Sequence, residues 1–133
     1  VVCTHNSARS QMAQGLLREL SQGKITAFSA GSHPTQVHPE AIRTMDSLDI
    51  DIRAQSVHHV SEYEGQPFDY VITVCDKARE NCPTFPGDGQ QLHWGYSDPL
   101  AIPNAEQRQA AFMQIAQRLR IRIEHFLITL AQQ

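Results

Sequence analysis

Val1-Val2-Cys3-Thr4-His5-Asn6-Ser7-Ala8-Arg9-Ser10 opens the chain, and the reading of this stretch decides the fold. A short apolar run ends in a cysteine, five residues separate that cysteine from Arg9, and helical spacing begins beyond Ser10. The order is strand, loop, helix. Backbone N–H groups of such a loop (Thr4, His5, Asn6, Ser7, Ala8 and Arg9) can converge with the helix N-terminus on one tetrahedral oxyanion. Arg9 adds a planar clamp for two of its oxygens. The same positive field favours the thiolate of Cys3, the form that attacks. Ser10 can donate its hydroxyl to the Cys3 sulfur, and Asn6 can brace the loop from inside. Cysteine is also among the most buried residue types, and a Cys and an Arg at this spacing occur together by chance. On spacing alone, packing and catalysis both stand.

Beyond the loop, Met12, Ala13, Leu16, Leu17 and Leu20 recur at helical spacing, and Gly23 ends the run as a C-terminal cap. Residues 25–29 read as a short strand closed by Ala30-Gly31-Ser32. Pro39 sits where a first-turn proline belongs, ahead of the stripe Ala41, Ile42, Met45 and Leu48. Residues 49–65 are mixed and polar and carry no clear period. Residues 69–74 are β-branched and nearly uninterrupted, the mark of a buried strand, and a Pro- and Gly-rich loop follows from 82 to 89. Residues 92–94 predict a fourth strand ending at Gly95. Phe112, Ile115, Ala116, Leu119, Ile123, Phe126, Leu127 and Leu130 form a long amphipathic stripe, read as core.

Strands alternating with helices predict an α/β fold in three layers, a four-stranded parallel sheet with helices on both faces. Ligands of such sheets bind at the carboxyl ends of strands. Cys3, Cys75 and Asp98 all fall at that edge.

At 133 residues the chain is long enough for one domain, residues 1–133, with one proper core. A formal charge of −3 offers no basic footprint for nucleic acid. No apolar run reaches the roughly 18–20 residues that span a membrane. Three cysteines are too few and odd in number for a secreted disulfide scaffold, and free thiols suit a reducing cytoplasm. The chain starts without methionine, and two apolar residues are short for a central strand. The expectation is a truncated N-terminal strand in a fragment of a longer protein.

Cys75 and Cys82 enclose Asp76-Lys77-Ala78-Arg79-Glu80-Asn81. Packing would account for both cysteines. Zinc would need more ligands at closer spacing, and His93 alone does not complete four. The third reading is a redox relay, in which the intervening turn rearranges until the Cα atoms approach within roughly 7 Å. Lys77 and Arg79 would favour a neighbouring thiolate. Asp98-Pro99 is a common turn opening, and Asp98 is equally a carboxylic acid suited to protonate a leaving oxygen.

The loop Cys-x5-Arg-Ser resembles the phosphate loop of the low-molecular-weight tyrosine phosphatase superfamily, and Cys-Thr-His-Asn-Ser-Ala-Arg-Ser is similar to its arsenate reductase branch. Val71-Ile72-Thr73-Val74-Cys75 with Cys82 resembles the relay pair of the thioredoxin-coupled arsenate reductases, and His93-Trp94-Gly95-Tyr96-Ser97-Asp98-Pro99 resembles their acid loop. The resemblance implies a low-molecular-weight tyrosine phosphatase-like fold. It implies catalytic roles for Cys3, Arg9, Ser10, Cys75, Cys82 and Asp98, with arsenate as substrate and phosphate or sulfate as mimics. It also implies thioredoxin as external reductant, with no tightly bound cofactor. Phosphatases of this superfamily carry aromatic residues after the Asp-Pro, where this chain has Leu100 and Ala101, so a small inorganic oxyanion fits better. A potassium ion can sit behind the family's loop, held by the asparagine (Asn6) and acidic groups. Here Gln14 and His58 stand where acidic ligands are expected, and no ion is predicted. The other histidines show no metal spacing. Two rival functions follow from the same residues: a small phosphatase using Cys3, Arg9 and Asp98 alone, and an oxyanion sensor fused to an upstream regulator.

Overall fold

The structure is a computed structural model that describes residues 1–132. Its elements run β1 (Val2–Cys3), α1 (Arg9–Leu20), β2 (Ala30–Gly31), α2 (Pro39–Asp46), β3 (Tyr70–Thr73), β4 (Gln90–His93) and α3 (Ala105–Ala131). Two 3₁₀ turns, Val60–Tyr63 and Pro99–Ala101, interrupt the long loops. The four strands form one sheet in the order β2-β1-β3-β4, and every pairing is parallel. This is the expected four-stranded parallel α/β architecture.

Side chains of β3 alternate between two packed layers, as a period of two requires. Ile72 joins Met12 and Leu16 of α1, Met45 of α2, and Phe112, Leu119 and Ile123 of α3 in the main core. Val71 faces the other way, with Val2 and Phe85, under Val60, Tyr63 and Phe68 from the 3₁₀ turn and its flanks. The α3 stripe is therefore core, and an Arg108–Glu40 ion pair of 2.8 Å fastens α3 to α2.

Two strand boundaries differ from expectation. The second strand is Ala30–Gly31 rather than residues 25–29, with Val2 and Cys3 in register against Ala30 and Gly31. The fourth strand begins earlier, at Gln90, where polar Gln90 and Gln91 pair with Tyr70 and Val71. An edge strand has solvent on one side, so its sequence carries no apolar run.

Residues 49–65, unreadable in sequence, contribute core all the same. Ile50 and Ile52 are buried, and Gly15 of α1 makes room for them: a Cβ there would come 2.7 Å from the Ile52 Cγ2. His59 caps the 3₁₀ turn in a capping box with Glu62.

Candidate active site

Residues 3–10 form a closed cradle at the carboxyl end of β1. Four consecutive loop carbonyls are tied outward: Thr4 O accepts from His33 N (2.8 Å), His5 O from Thr35 N (3.1 Å), and Ser7 O from His38 N (2.9 Å). Asn6 O accepts from the Gln11 side chain at 2.9 Å. In a trans peptide the N–H points opposite to the C=O. Anchoring these carbonyls therefore turns the N–H groups of His5, Asn6, Ser7 and Ala8 to the loop's other side, where an anion would sit. The tight path needs Gly31: a Cβ at that position would lie 2.6 Å from Thr4 O and 2.9 Å from Asn6 N.

Asn6 is fully buried with φ +53°, a left-handed conformation that asparagine tolerates better than most residues. Its Oδ1 accepts from His58 N at 2.9 Å, and its Nδ2 donates to Ser10 Oγ at 2.9 Å. Ser10 Oγ also lies 2.9 Å from Cys3 Sγ; either atom can donate in that bond, and Ser10 is the donor when Cys3 is a thiolate. Cys3 is buried and free. Ser10 and Asn6, both singled out from sequence, lie in contact here.

Gln11 was not singled out from sequence, yet it is fully buried and spans Asn6 O and Ser56 O. Its Oε1 in turn accepts from the Gln55 amide at 2.8 Å. A polar residue at an inward helical position was the only sequence signal. Gln14 is engaged elsewhere, accepting from Ser29 Oγ at 2.5 Å, and His58 meets Asn6 through its backbone. Among the described residues no group of three or more His, Cys, Asp or Glu side chains is gathered for a metal ion.

Arg9 is 3% exposed. Nη1 donates to Tyr96 O at 2.9 Å, and Nη2 lies 3.9 Å from Asp98 Oδ2. Asp98 is partly exposed and caps the 3₁₀ turn by accepting from Leu100 N at 2.9 Å. Cys75 is fully buried in the same core cluster as Cys3. It follows β3 directly, and Val74 N donates to Val2 O at 3.0 Å, so Cys3 and Cys75 end neighbouring strands. Cys75 and Cys82 form a disulfide with Cα atoms 5.9 Å apart. The sequence-predicted residues Cys3, Arg9, Ser10, Cys75, Cys82 and Asp98 thus gather on one rim.

Glu80, between Cys75 and Cys82, is the residue the sequence reading passed over. Its carboxylate takes Arg9 Nη1 at 2.5 Å and Nη2 at 2.7 Å, a bidentate pair. It also accepts from Thr4 Oγ1 at 3.0 Å and Asp76 N at 2.9 Å. The Arg9 guanidinium, outweighing burial, lowers the Glu80 pKa to about 2, with the Asp76 N–H and Thr4 hydroxyl adding to the effect. Burial alone would lower the Arg9 pKa, but the Glu80 hydrogen bonds with Cys3 and Asp98 nearby raise it.

A cavity of about 890 Å³ lies away from this rim between residues 24–30 and 66–72. Its lining holds no cysteine, histidine or arginine.

Comparisons with known proteins agree with the geometry. The family described as low molecular weight phosphotyrosine protein phosphatase matches residues 1–133. An arsenate reductase of Staphylococcus xylosus is 34% identical over 125 residues, covering 94% of this chain and 92% of that protein. A solved arsenate reductase in the phosphate binding state superposes with a TM-score of 0.81 at 30% identity, covering 96% of this chain and 94% of the other. A thioredoxin-dependent arsenate reductase of Corynebacterium glutamicum gives a TM-score of 0.68 at 25% identity over 96% of this chain, which spans 60% of that longer chain. The strand–loop–helix geometry, the sheet order and the match along residues 1–133 place this chain in the low molecular weight phosphotyrosine protein phosphatase family.

Proposed function

We propose that this protein reduces arsenate to arsenite, with residues 1–133 acting as one domain and thioredoxin as the external reductant. The observation that carries the reading is the Cys75–Cys82 disulfide beside the free Cys3. A phosphatase needs one cysteine, whereas a two-electron reduction must dispose of an oxidised thiol. The similar proteins are named arsenate reductases, one of them thioredoxin-dependent, which supports the same branch.

Arsenate enters the cradle between Cys3 and Arg9, with the inward N–H groups on its oxygens. The Cys3 thiolate attacks arsenic, and Asp98 gives a proton to the departing hydroxyl, which leaves as water. Cys75, as thiolate, then attacks the Cys3 sulfur. The S–As electron pair stays on arsenic, arsenite leaves, and a Cys3–Cys75 disulfide remains. Cys82 attacks Cys75, freeing the Cys3 thiolate and leaving the Cys75–Cys82 disulfide that the structure contains. Thioredoxin's dithiol supplies the two electrons that reopen it. This chemistry belongs in a reducing compartment such as the cytoplasm.

Arsenate-dependent NADPH oxidation in the presence of thioredoxin and its reductase tests the proposal. Wild type gives signal and Cys75→Ser gives none in steady state. A wild type without arsenate-dependent signal, hydrolysing p-nitrophenyl phosphate instead, would leave the phosphatase reading ahead.

A further inference from the structure

Glu80 makes its bonds to the one side chain whose position suits it to clamp an oxyanion. A carboxylate and a tetrahedral oxyanion present the same kind of two-oxygen edge to a guanidinium. Glu80 uses that edge in full, with Oε1 and Oε2 together accepting from Arg9 Nη1, Arg9 Nη2, Thr4 Oγ1 and Asp76 N. Four acceptor sites are about what an ionised carboxylate has. Thr4 belongs to the cradle, so the carboxylate is anchored to the loop as well as to Arg9.

The covalent ring closed by Cys75 and Cys82 holds Glu80 there. Glu80 N donates to Asp76 O at 2.8 Å, and Cys82 N donates to Glu80 O at 3.1 Å, so the disulfide segment is a compact turn with Glu80 at its inner side. With the ring closed, few conformations take the carboxylate away from Arg9. With it open, the same tether is looser and the effective concentration of carboxylate at Arg9 falls.

We propose that Glu80 is an internal oxyanion surrogate: while the Cys75–Cys82 disulfide is closed, its carboxylate occupies Arg9 and excludes substrate-like oxyanions from the cradle. This rests on the reading of Arg9 as the oxyanion clamp. Fresh substrate thereby binds well only after the disulfide is reduced. Binding and redox state are coupled reciprocally, so an oxyanion that does displace Glu80 loosens the oxidised segment for the reductant.

Inorganic phosphate is the probe, titrated calorimetrically into reduced and oxidised protein. Wild type should bind phosphate about tenfold or more weakly when oxidised than when reduced, the scale of losing a charge-assisted bidentate site to a competitor. Oxidised Glu80→Gln should recover that affinity, and its reduced and oxidised forms should bind alike. Glu80→Asp, which keeps charge but shortens reach, should fall between them. Equal phosphate affinity of oxidised and reduced wild type overturns the proposal without any variant having to fold. An oxidised Glu80→Gln that binds phosphate as weakly as oxidised wild type also overturns it. Reduced Arg9→Ala binding phosphate as tightly as reduced wild type would instead remove the clamp reading, and the proposal with it.

Discussion

Ser10 and Asn6 illustrate how little latitude the site leaves a single side chain. Ser10 receives a bond from Asn6 Nδ2 and sits 2.9 Å from Cys3 Sγ, where it can donate to the thiolate. These roles could be anticipated, because a hydroxyl one residue after the loop arginine has one obvious target. Glu80 could not, since a surface-type carboxylate inside a turn looks solvated until the fold lays it on Arg9. Two outcomes belong at this scale. Cys82→Ser should complete about one turnover and stall with a Cys3–Cys75 disulfide, seen by peptide mass spectrometry, because the resolving thiol is gone. Asp98→Asn should lower kcat for arsenate by about 10²–10³-fold, in line with loss of a general acid, with KM changed far less. Full steady-state turnover by Cys82→Ser would break the relay.

The loop between β1 and α1 works as an element because its carbonyls are held from outside. Residues 33, 35 and 38, all between β2 and α2, donate to Thr4, His5 and Ser7, so the crossover segment shapes the cradle. The Cys-x5-Arg spacing announced the loop, but nothing in that spacing names its external donors. Gly31 is the point of closest approach. Gly31→Ala should destabilise the protein by about 1–3 kcal/mol, the usual cost of forcing atoms into a packed site. It should also weaken phosphate binding more than it lowers Tm-derived stability, because the Cβ meets Thr4 O and Asn6 N themselves. Calorimetric titration beside thermal melts separates the two effects. The strand boundaries were less legible for a related reason: residues 25–29 have strand composition, yet pairing falls on Ala30–Gly31, where β1 offers partners.

For the whole molecule, the Glu80–Arg9 pair links folding to pH. Glu80 has its pKa lowered from 4.5 to about 2, so the folded state binds fewer protons than the unfolded one across that window. Its contribution is present above pH 4.5 and is lost as pH falls toward 2. Oxidised wild type should therefore lose more stability between these values than oxidised Glu80→Gln, measured by urea unfolding at fixed pH steps. Identical pH profiles for the two proteins would mean that the pair contributes nothing to folding. The largest fully buried side chains, Phe112, Met12 and Leu16, come from helices whose stripes were visible in sequence. Ile50 and Ile52 were not, because two buried residues in an irregular segment set up no period.

The sequence by itself determined the α/β class and the strand–loop–helix order, and it offered Cys3, Arg9, Ser10, Cys75, Cys82 and Asp98 as candidates, their roles implied by a family resemblance. The elements are local, written in periodicity and in spacings of a few residues. Tertiary structure alone decided what surrounds them. It set Gln11 behind Asn6, the crossover donors on the loop carbonyls, and Glu80 on Arg9, 71 residues away in the chain. Contacts at that separation depend on strand order and loop path, which leave no trace in local pattern. Cys3 to Ser10 describes a seat for an oxyanion, and the fold puts the chain's own carboxylate against it.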